Sequence, residues 1–370
     1  MKKVRDGYKI TELGEIPSDW NIMKLSEVAE IVMGQSPDSS SYNDTEDGVA
    51  FFQGKTEFGR INPVVKKWCN NPTKISKPLD ILISVRAPVG DVNINNIEAC
   101  IGRGLGAIRA TSSSNYKYLY YAIQKYNNQL KKASQGSTFE AINSNDLKGL
   151  KLPIPHIDEQ EKIALILSNV DEQIDNVDAL IEKNKELKKG LMQTLLTKGI
   201  GHTKFKKTEI GEIPEEWDVK KLECVFEILD SMRKPIKASD REKIEGNIPY
   251  YGASGVIDWI NDYIFDEELI LLGEDGENLN SRNSDLAFKI SGKTWVNNHA
   301  HVFRVINKKE CNIDFMVYYL EAKDYSIYIA GSAQPKITQA QCRKFLLPLP
   351  EKQEQDKIAS ILLESDKKIE

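Results

Sequence analysis

One long internal repeat limits what this chain can fold into more than any other feature of its sequence. Gly14-Glu-Ile-Pro-Ser-Asp-Trp20 returns as Gly211-Glu-Ile-Pro-Glu-Glu-Trp217, 197 positions later. Leu152-Pro-Ile-Pro155 and the following Glu159-Gln-Glu-Lys-Ile163 return 195 positions later as Leu347-Pro-Leu-Pro350 and Glu354-Gln-Asp-Lys-Ile358. Solenoid units are only about 20–50 residues long. The repeat therefore predicts two copies of a whole domain, each with its connector.

Length and composition are those of a soluble two-domain protein. With 370 residues, of which 40% are hydrophobic and 28% charged, each copy can bury its own core. No apolar run reaches the roughly 20 residues of a membrane span, and no signal-peptide core follows the first residues. We therefore expect a cytoplasmic protein without a membrane partner. The cysteines are odd in number and widely spaced, which indicates reduced thiols: Cys69, Cys100, Cys224, Cys311 and Cys342.

The charge is distributed unevenly along the chain. The net charge is −5, yet residues 49–151 carry 15 basic and 6 acidic side chains, a net of +9. Residues 158–190 carry 5 basic and 9 acidic ones, and residues 246–346 carry 10 and 13. Lys and Arg contacts to phosphate supply most non-specific DNA affinity. The first copy therefore has the charge of a DNA-binding domain, unless the segregation is a chance variation of the surface.

Each copy has the same predicted order of elements. A short amphipathic helix is predicted at 24–32 and 220–229, a buried strand at 79–85 and 268–272, and an aromatic helix at 116–132 and 313–329. A turn at 136–137 and 331–332 precedes the Leu-Pro-x-Pro segment, which we call the strap. Its prolines lack an amide donor and interrupt regular structure.

After the first strap, the longest predicted helix covers about 158–197. Its apolar residues recur at spacings of four and three, the pattern of a coiled-coil seam rather than of a helix lying on its own domain. At about 1.5 Å per residue, the helix would be about 60 Å long. Eight of the ten seam positions are aliphatic: Ile163, Leu167, Val170, Ile174, Val177, Ile181, Asn184, Lys188, Leu191 and Leu195.

The second copy begins the same seam at Ile358, Leu362, Ser365 and Ile369. If the two helices run in opposite directions, they pair antiparallel. The N-terminal residues 7–14 match 204–211, as though the repeat were circular. We therefore predict an α+β fold in which two globular domains of mixed β-sheet and helices alternate with long coiled-coil helices, in a pseudo-twofold circular arrangement.

No catalytic constellation stands out. Ser291-Gly-Lys-Thr294 imitates the end of a phosphate loop, but Ala287 replaces the first glycine and the flanks read as strands. His299 and His301 alternate along a strand without a third metal ligand spaced nearby, so a packed or DNA-facing pair is favoured over a metal site. Glu274-Asp-Gly-Glu277 reads as an acidic turn rather than a metal loop. We predict no catalytic, cofactor or metal site in this chain.

Taken in order, these motifs resemble the specificity subunit of a type I restriction–modification system. The resemblance rests on the Gly-Glu-Ile-Pro-x-x-Trp segments and the Leu-Pro-x-Pro…Glu-Gln-x-x-Ile helix starts. It rests also on Tyr250-Tyr-Gly-Ala-Ser-Gly255, Gly273-Glu-Asp-Gly276 and Asn298-His-Ala-His-Val302. The ordered motifs cover essentially the whole chain as two successive copies. The resemblance implies target-recognition domain 1 at 1–151, strap and spacer helix 1 at 152–200, target-recognition domain 2 at 201–346, and strap and the start of spacer helix 2 at 347–370.

The resemblance also implies a function. Such a subunit is not itself catalytic, and it reads a bipartite, asymmetric site in double-stranded DNA, one domain per half, with the helices as a ruler. Two methyltransferase subunits, with S-adenosylmethionine, would methylate adenine at N6. Restriction subunits would supply ATP- and Mg-dependent DNA cleavage. The short second spacer leaves room for self-association. The alternatives are a coiled-coil adaptor for protein partners only, and an autonomous DNA modification enzyme.

Residues that contact DNA are predicted from their type and their place beside glycine turns, after strands or at the domain–strap junction. Arg is the commonest bidentate reader of guanine, while Lys mostly contacts phosphate. The candidates are Lys55, Arg60, Arg86, Arg103, Ser137 and Thr138 in the first copy, and Arg282, Asn283, Lys293, His299, Gln334 and Lys336 in the second.

Overall fold

The computed structural model describes residues 4–134, 141–329 and 334–369. The chain divides into two compact units, Met1–Asn176 and Val177–Glu370, called unit 1 and unit 2 below. The division falls inside the longest helix, so each unit includes one half of it. No helix in the described ranges is both long enough and apolar enough to span a membrane.

Unit 1 consists mainly of short strands. They are β1 (Tyr8–Thr11), β2 (Gly14–Pro17), β3 (Asn21–Lys24), β4 (Ala29–Met33), β5 (Tyr42–Asn43), β6 (Val49–Phe52), β7 (Trp68–Cys69), β8 (Ile75–Ser76), β9 (Ile81–Ser84), β10 (Val92–Ile94), β11 (Ala99–Ile101), β12 (Leu105–Ala110) and β13 (Lys151–Ile154). The helices are α1 (Leu25–Val28), α2 (Tyr116–Tyr126), α3 (Asn128–Ser134), α4 (Ser144–Lys148) and α5 (Ile157–Lys198), the last of which continues into unit 2.

Unit 2 repeats this composition. Its strands are β14 (Phe205–Thr208), β15 (Gly211–Pro214), β16 (Asp218–Lys221), β17 (Phe226–Ile228), β18 (Glu245–Gly252), β19 (Gly255–Ile260), β20 (Phe265–Asp266), β21 (Leu269–Gly273), β22 (Ala287–Ile290), β23 (Lys293–Val296), β24 (Ala300–Val305) and β25 (Leu346–Leu349). Its helices are α6 (Leu222–Val225), α7 (Ala238–Arg241), α8 (Asn278–Ser281), α9 (Ile313–Ala322), α10 (Gln339–Cys342) and α11 (Lys352–Lys367).

The two units share one topology. An antiparallel sheet has the order β10-β9-β12-β4 in unit 1 and, with corresponding strands, β22-β21-β24-β17 in unit 2. A mixed sheet has the order β5-β7-β6-β11-β8 in one and β19-β18-β23-β20 in the other, with β6–β11 and β18–β23 as the parallel pairs. The interiors of the copies differ in sequence but fold alike, which confirms the predicted α+β class of two mixed domains.

The buried strands were predicted correctly. Every residue of β9 and of β21 is buried, because aliphatic side chains point to both faces of a sheet that is covered on both sides. In unit 1, Ile81 and Ile83 face the aromatic helix α2, while Leu82 faces the second cluster around Phe52. The strand thus links two apolar clusters of the unit.

The short helices were predicted too long. The stretch 24–32 is helical only at α1, and its remainder is β4, which pairs antiparallel with β12. In unit 2 the same happens at α6 and β17, which pairs with β24. The β-branched residues Ile31 and Val32 suit a pleated surface, and the open edge of the sheet gives their backbone a partner.

The aromatic helices are also shorter than predicted. In unit 1 the predicted helix 116–132 is divided at Asn127 into α2 and α3. In unit 2 the helix ends at Ala322, because Lys323 adopts an extended conformation, and the predicted continuation to residue 329 is not helical. Both helices begin at an Asn N-cap, Asn115 and Asn312, whose side chain accepts backbone N–H bonds.

The long helix was predicted almost to its ends. α5 covers 42 residues. In unit 2 its later turns lie antiparallel to α11: Asn184 donates to the carbonyl of Lys368 at 3.4 Å and Lys188 pairs with Asp366. Just after the end of α5, the amide of Ile200 donates to Glu354. As residue numbers rise along α5 they fall along α11, so the predicted antiparallel pairing is present within unit 2.

The first seam positions are covered in α11 and open in α5. In α11, Ile358 and Leu362 are fully buried. The corresponding early positions of α5 within unit 1, Leu167, Val170 and Ile174, are 37%, 51% and 45% exposed. The same apolar pattern therefore has a partner helix in unit 2 and none among the described residues of unit 1.

Two contacts explain why the repeated motifs occur together. Trp20 donates its indole N–H to Glu159 at 3.1 Å, and Trp217 donates to Glu354 at 2.9 Å. Each Trp ends the Gly-Glu-Ile-Pro segment and each Glu begins a seam helix. The motif pair thus fixes the start of the seam helix to the N-terminal segment of its own copy.

Candidate nucleic-acid interface

In unit 1, loops from separate strands meet at one end of the sheets. The amide of Gly102 donates to the carbonyl of Phe52 at 2.8 Å, that of Val85 to Gly104 at 2.9 Å, and that of Ile142 to Val85 at 2.9 Å. We call the residues brought together here, 34–36, 53–55, 85–91, 102–104 and 141–142, the loop edge of unit 1. It joins the ends of β6, β9 and β11 to the segment that leads into the strap.

Unit 2 builds the same frame. The amide of Asn297 donates to Tyr251 at 3.0 Å, that of Glu274 to His299 at 2.9 Å, and that of Ile337 to Glu274 at 2.8 Å. An isolated bridge joins Asp275 to Lys336, as Arg86 is joined to Ala141 in unit 1. Residues 230–233, 251–255, 274–276, 297–302 and 335–337 form the loop edge of unit 2. Two different sequences thus present side chains from one backbone frame.

The loop edge of unit 1 presents two arginines. Arg86 follows β9 and Arg103 lies in the turn between β11 and β12, and both are exposed. Glycines flank Arg103 for a steric reason: a Cβ on Gly104 would lie 2.6 Å from the carbonyl oxygen of Gln53, and one on Gly102 2.8 Å from the Gln53 side chain. The close approach of these backbones turns the Arg103 side chain towards solvent, where it is available to a polyanion.

The other two basic candidates of unit 1 are engaged in ion pairs. Lys55 pairs with Asp91, in the loop that also carries Arg86. Arg60 pairs with Asp175 on α5. Lys55 therefore lies at the loop edge with its charge partly balanced, while Arg60 connects the recognition domain to the helix. For both, a role in contacting DNA stays a prediction.

The loop edge of unit 2 contains an ionic network instead. Asp230 accepts from Nδ1 of His301 at 2.6 Å, and Arg233 donates to Glu274 at 2.5 Å. Lys336 reaches the other oxygen of Glu274 at 2.9 Å. The side chains of His301, Asp230 and Glu274 are 0%, 6% and 10% exposed. The network thus holds three basic and two acidic groups beneath the loops.

The pKa shifts follow from this arrangement. Burial lowers the pKa of His301, but the hydrogen bond from its ring to Asp230, the interaction with the Cys342 side chain and the attraction of the Asp230 carboxylate outweigh burial and raise the pKa to about 10. Burial raises the pKa of Glu274, but its bonds from Arg233 and Lys336 bring it below the usual value. His301 is therefore an imidazolium whose second N–H donates to the carbonyl of Ile337 at 2.9 Å.

The network also contains three groups of the kind that bind metals. One ligand atom from each of Asp230, Glu274 and His301 lies within 4.8 Å of the others. However, Arg233 and Lys336 already neutralise Glu274, and a protonated His301 has no lone pair to offer. The donor set therefore suits an internal ion-pair network better than a cation.

The remaining candidates of unit 2 are dispersed. His299 lies at the loop edge, where its ring contacts Asp275 at 2.9 Å; it does not share a site with His301. Lys293 begins β23, at the opposite end from His299, and lies over the ring of Tyr263. Arg282, in a left-handed conformation, bonds to the carbonyl of Glu321. Asn283 and Gln334 are exposed. The unit 1 candidates Ser137 and Thr138 lie in the undescribed stretch 135–140.

Sequence reasoning missed the network and two glutamines. Asp230 and Arg233 carried no visible signal, because only folding brings them to residues 274 and 301. Gln160 and Gln355 are fully buried at the starts of the seam helices. Both belong to the repeated segments 159–163 and 354–358, and the recurrence of Gln directly after the repeated Glu was the signal that could have identified them.

A family model described as the type I restriction modification DNA specificity domain matches residues 17–188 and 214–370. The chain is 42% identical over 194 residues to the type I restriction enzyme MjaX specificity subunit of Methanocaldococcus jannaschii, covering 51% of this chain and 45% of that subunit. The MjaIX specificity subunit of the same organism is 25% identical over 92% of this chain and 86% of its own length.

Among solved structures, the S subunit of a type I restriction-modification system from M. genitalium aligns with 99% of this chain and 92% of its own length. The TM-score is 0.65 at 17% identity, which is a likeness of fold. The chain spans about half or less of the length of the first curated relatives it matches, with 45% of MjaX and 50% of the MjaVIII specificity subunit of M. jannaschii. Because the family model matches both copies of the repeat, the chain belongs to the family of type I restriction modification DNA specificity domains.

Proposed function

We propose that this chain is the DNA-reading and scaffolding subunit of a type I restriction–modification complex. Unit 1 reads one half of a bipartite, asymmetric duplex site and unit 2 reads the other. The observation that carries the proposal is the loop edge, one backbone frame built twice and filled with different side chains. Arg86 and Arg103 in one copy have Asp275 and Asn298 as counterparts in the other, so the two units would select different bases.

The seam helix is the proposed ruler. Recognition units that face one side of a duplex must meet its grooves in phase, about 34–36 Å per helical turn. Insertions or deletions in α5 should change the number of unspecified base pairs between the half-sites without changing the bases read in either half.

The proposed partners are two methyltransferase subunits and the restriction subunits. S-adenosylmethionine, ATP and Mg would be bound by those partners, and the assembled complex would methylate adenine at N6 and cleave DNA in the cytoplasm. This chain itself would be non-catalytic. The exposed seam positions Leu167, Val170 and Ile174 fit an antiparallel helix like the one that covers Leu362. Self-association through this seam is one way to supply it.

The test is selection from randomised duplexes by the full chain, alone and with its methyltransferase partner. Enrichment of a split motif with a fixed gap, and methylation of the same motif in cells, would support the proposal. Retention of protein partners without any DNA enrichment would instead indicate a coiled-coil adaptor. Turnover of S-adenosylmethionine by the chain alone would indicate an autonomous enzyme and refute the scaffold role.

A further inference from the structure

The ionic network of unit 2 connects four of the five segments of its loop edge: 230–233, 274–276, 297–302 and 335–337. Arg233 donates to the carbonyl of Ala300 at 2.7 Å as well as to Glu274. His301 joins Asp230 to the carbonyl of Ile337. Lys336 joins Glu274 to the segment that leads into the strap. The segments that follow β17, β21 and β23 and the one that precedes α10 are therefore cross-linked by charged side chains.

Unit 1 has no counterpart of this network at the corresponding positions. Equivalent backbone bonds place Val85 where unit 2 has Glu274. Equivalent strand pairing places Gly106 where unit 2 has His301, since Gly106 lies opposite Ile83 and His301 opposite Leu272. The space beside Gly106 is filled by Leu147, Ile83 and Met33. The same frame is thus supported by apolar contacts in one copy and by ion pairs in the other.

From this contrast we propose that Arg233, Glu274 and His301 are positioning residues for the half-site read by unit 2. They act through the loops that carry Asp275, His299 and Lys336, and they do not touch DNA themselves. The inference rests on the proposed function and deepens it. A buried charge network has few alternative arrangements that satisfy all its members, so it fixes the loops in one conformation and limits the bases they accept.

Glu274→Gln tests the proposal sharply because it should raise general affinity for DNA while lowering discrimination between bases. The change removes a negative charge beneath a DNA-facing surface, which raises general affinity for duplexes. It also removes the shared partner of Arg233 and Lys336, so discrimination within the second half-site should fall by about fivefold or more. The first half-site should keep its full selectivity, because unit 1 is unchanged.

Glu267→Gln is the matched control. Glu267 pairs with Arg304 at 2.6 and 2.8 Å in the same unit, but it lies before the first residue of β21, whereas Glu274 follows the last. Glu267→Gln removes the same charge and a comparable ion pair at the other end of β21. It should leave both half-sites equally selective. His301→Gln, which removes the buried ring and its bond to Asp230, is the second variant if Glu274→Gln lowers expression.

The measurement is enrichment of each base at each position in selections from randomised duplexes with the full chain and its methyltransferase partner. If the wild-type complex enriches no split motif, the proposed function fails. If it does, but Glu274→Gln and His301→Gln leave the second half-site as selective as Glu267→Gln does, the positioning inference is overturned and the proposed function stands. An equal loss in both halves also overturns the inference, since it would show general unfolding.

Discussion

The buried glutamine at the start of each seam helix offers the sharpest test of how the repeat is held together. The side-chain oxygen of Gln355 accepts from the amide of Asn312 at 2.8 Å. Its nitrogen donates at 2.8 Å to the carbonyls of both Glu310 and Pro350. One amide therefore joins the strap, the cap of α9 and the first turn of α11. Gln355→Leu keeps the volume and removes all three bonds.

The magnitude follows from the groups left without partners. A buried donor or acceptor that loses its hydrogen bond costs about 1–3 kcal/mol. The bond to Pro350 is buried and the other two are partly buried, so water can replace part of the loss at those two. We expect Gln355→Leu to lower the free energy of unfolding of unit 2 by about 4 kcal/mol. That is a large part of the roughly 5–15 kcal/mol of a typical domain.

Hydrogen exchange in increasing urea is the assay, because it reports the opening of each unit separately. The same substitution at exposed Gln353, two residues earlier on α11, is the control and should change little. Gln160→Leu is the counterpart in unit 1. It should lower the stability of that unit somewhat less, since its bond to Ser113 is 3.3 Å long. A loss below about 1 kcal/mol for Gln355→Leu, or one shared equally by both units, would refute the reasoning.

Three further predictions follow from the sites described above. Arg103→Ala should weaken or relax one half-site by about 1–3 kcal/mol in duplex competition; equal loss at both halves would refute the assignment. Because the folded-state pKa of His301 is raised from 6.5 to about 10, its ion pair with Asp230 stabilises unit 2 fully below about pH 6.5. That stability is lost as pH rises through about 10, and His301→Gln should flatten this dependence in urea midpoints. Leu167→Asp, at an exposed position, should impair assembly without lowering the free energy of unfolding, whereas Leu362→Asp, at a buried one, should lower that free energy by several kcal/mol in urea titrations.

Much of the architecture could be read from periodicity. The long helix was placed to within a residue at each end, because 42 residues of helical spacing offer no competing pattern. The buried strands β9 and β21 were found because continuous aliphatic runs bounded by Pro and Gly suit a sheet covered on both faces. The short elements were predicted less well: the stretch 24–32 is amphipathic enough for a helix, yet the chain turns into strand β4 at Ala29. Local propensity is a weak prior there, and the free edge of β12 decided the outcome.

The candidate site was less predictable, because it is made by contacts between distant segments. Arg86 and Arg103 could be proposed from the loops they occupy. The engagement of Arg60 with Asp175 on α5, and of Lys293 with the ring of Tyr263, could not. The roles of Asp230 and Arg233 depend on residues 41 to 71 positions away, a separation at which single-sequence patterns carry no information.

The sequence alone determined that the chain contains the same domain and connector twice, each with an N-terminal segment, a strap and a seam. These parts repeat because each copy needs the same contacts: a Trp for each Glu, a Gln for each helix start, and aliphatic residues at most seam positions. Tertiary structure decided how the poorly matched interiors differ. It built one loop frame in both copies, and supported it with Leu147 and Met33 in one and with buried charges in the other. The physical reason is that backbone hydrogen bonds fix a frame without fixing side chains, so two copies can keep one fold and present different surfaces.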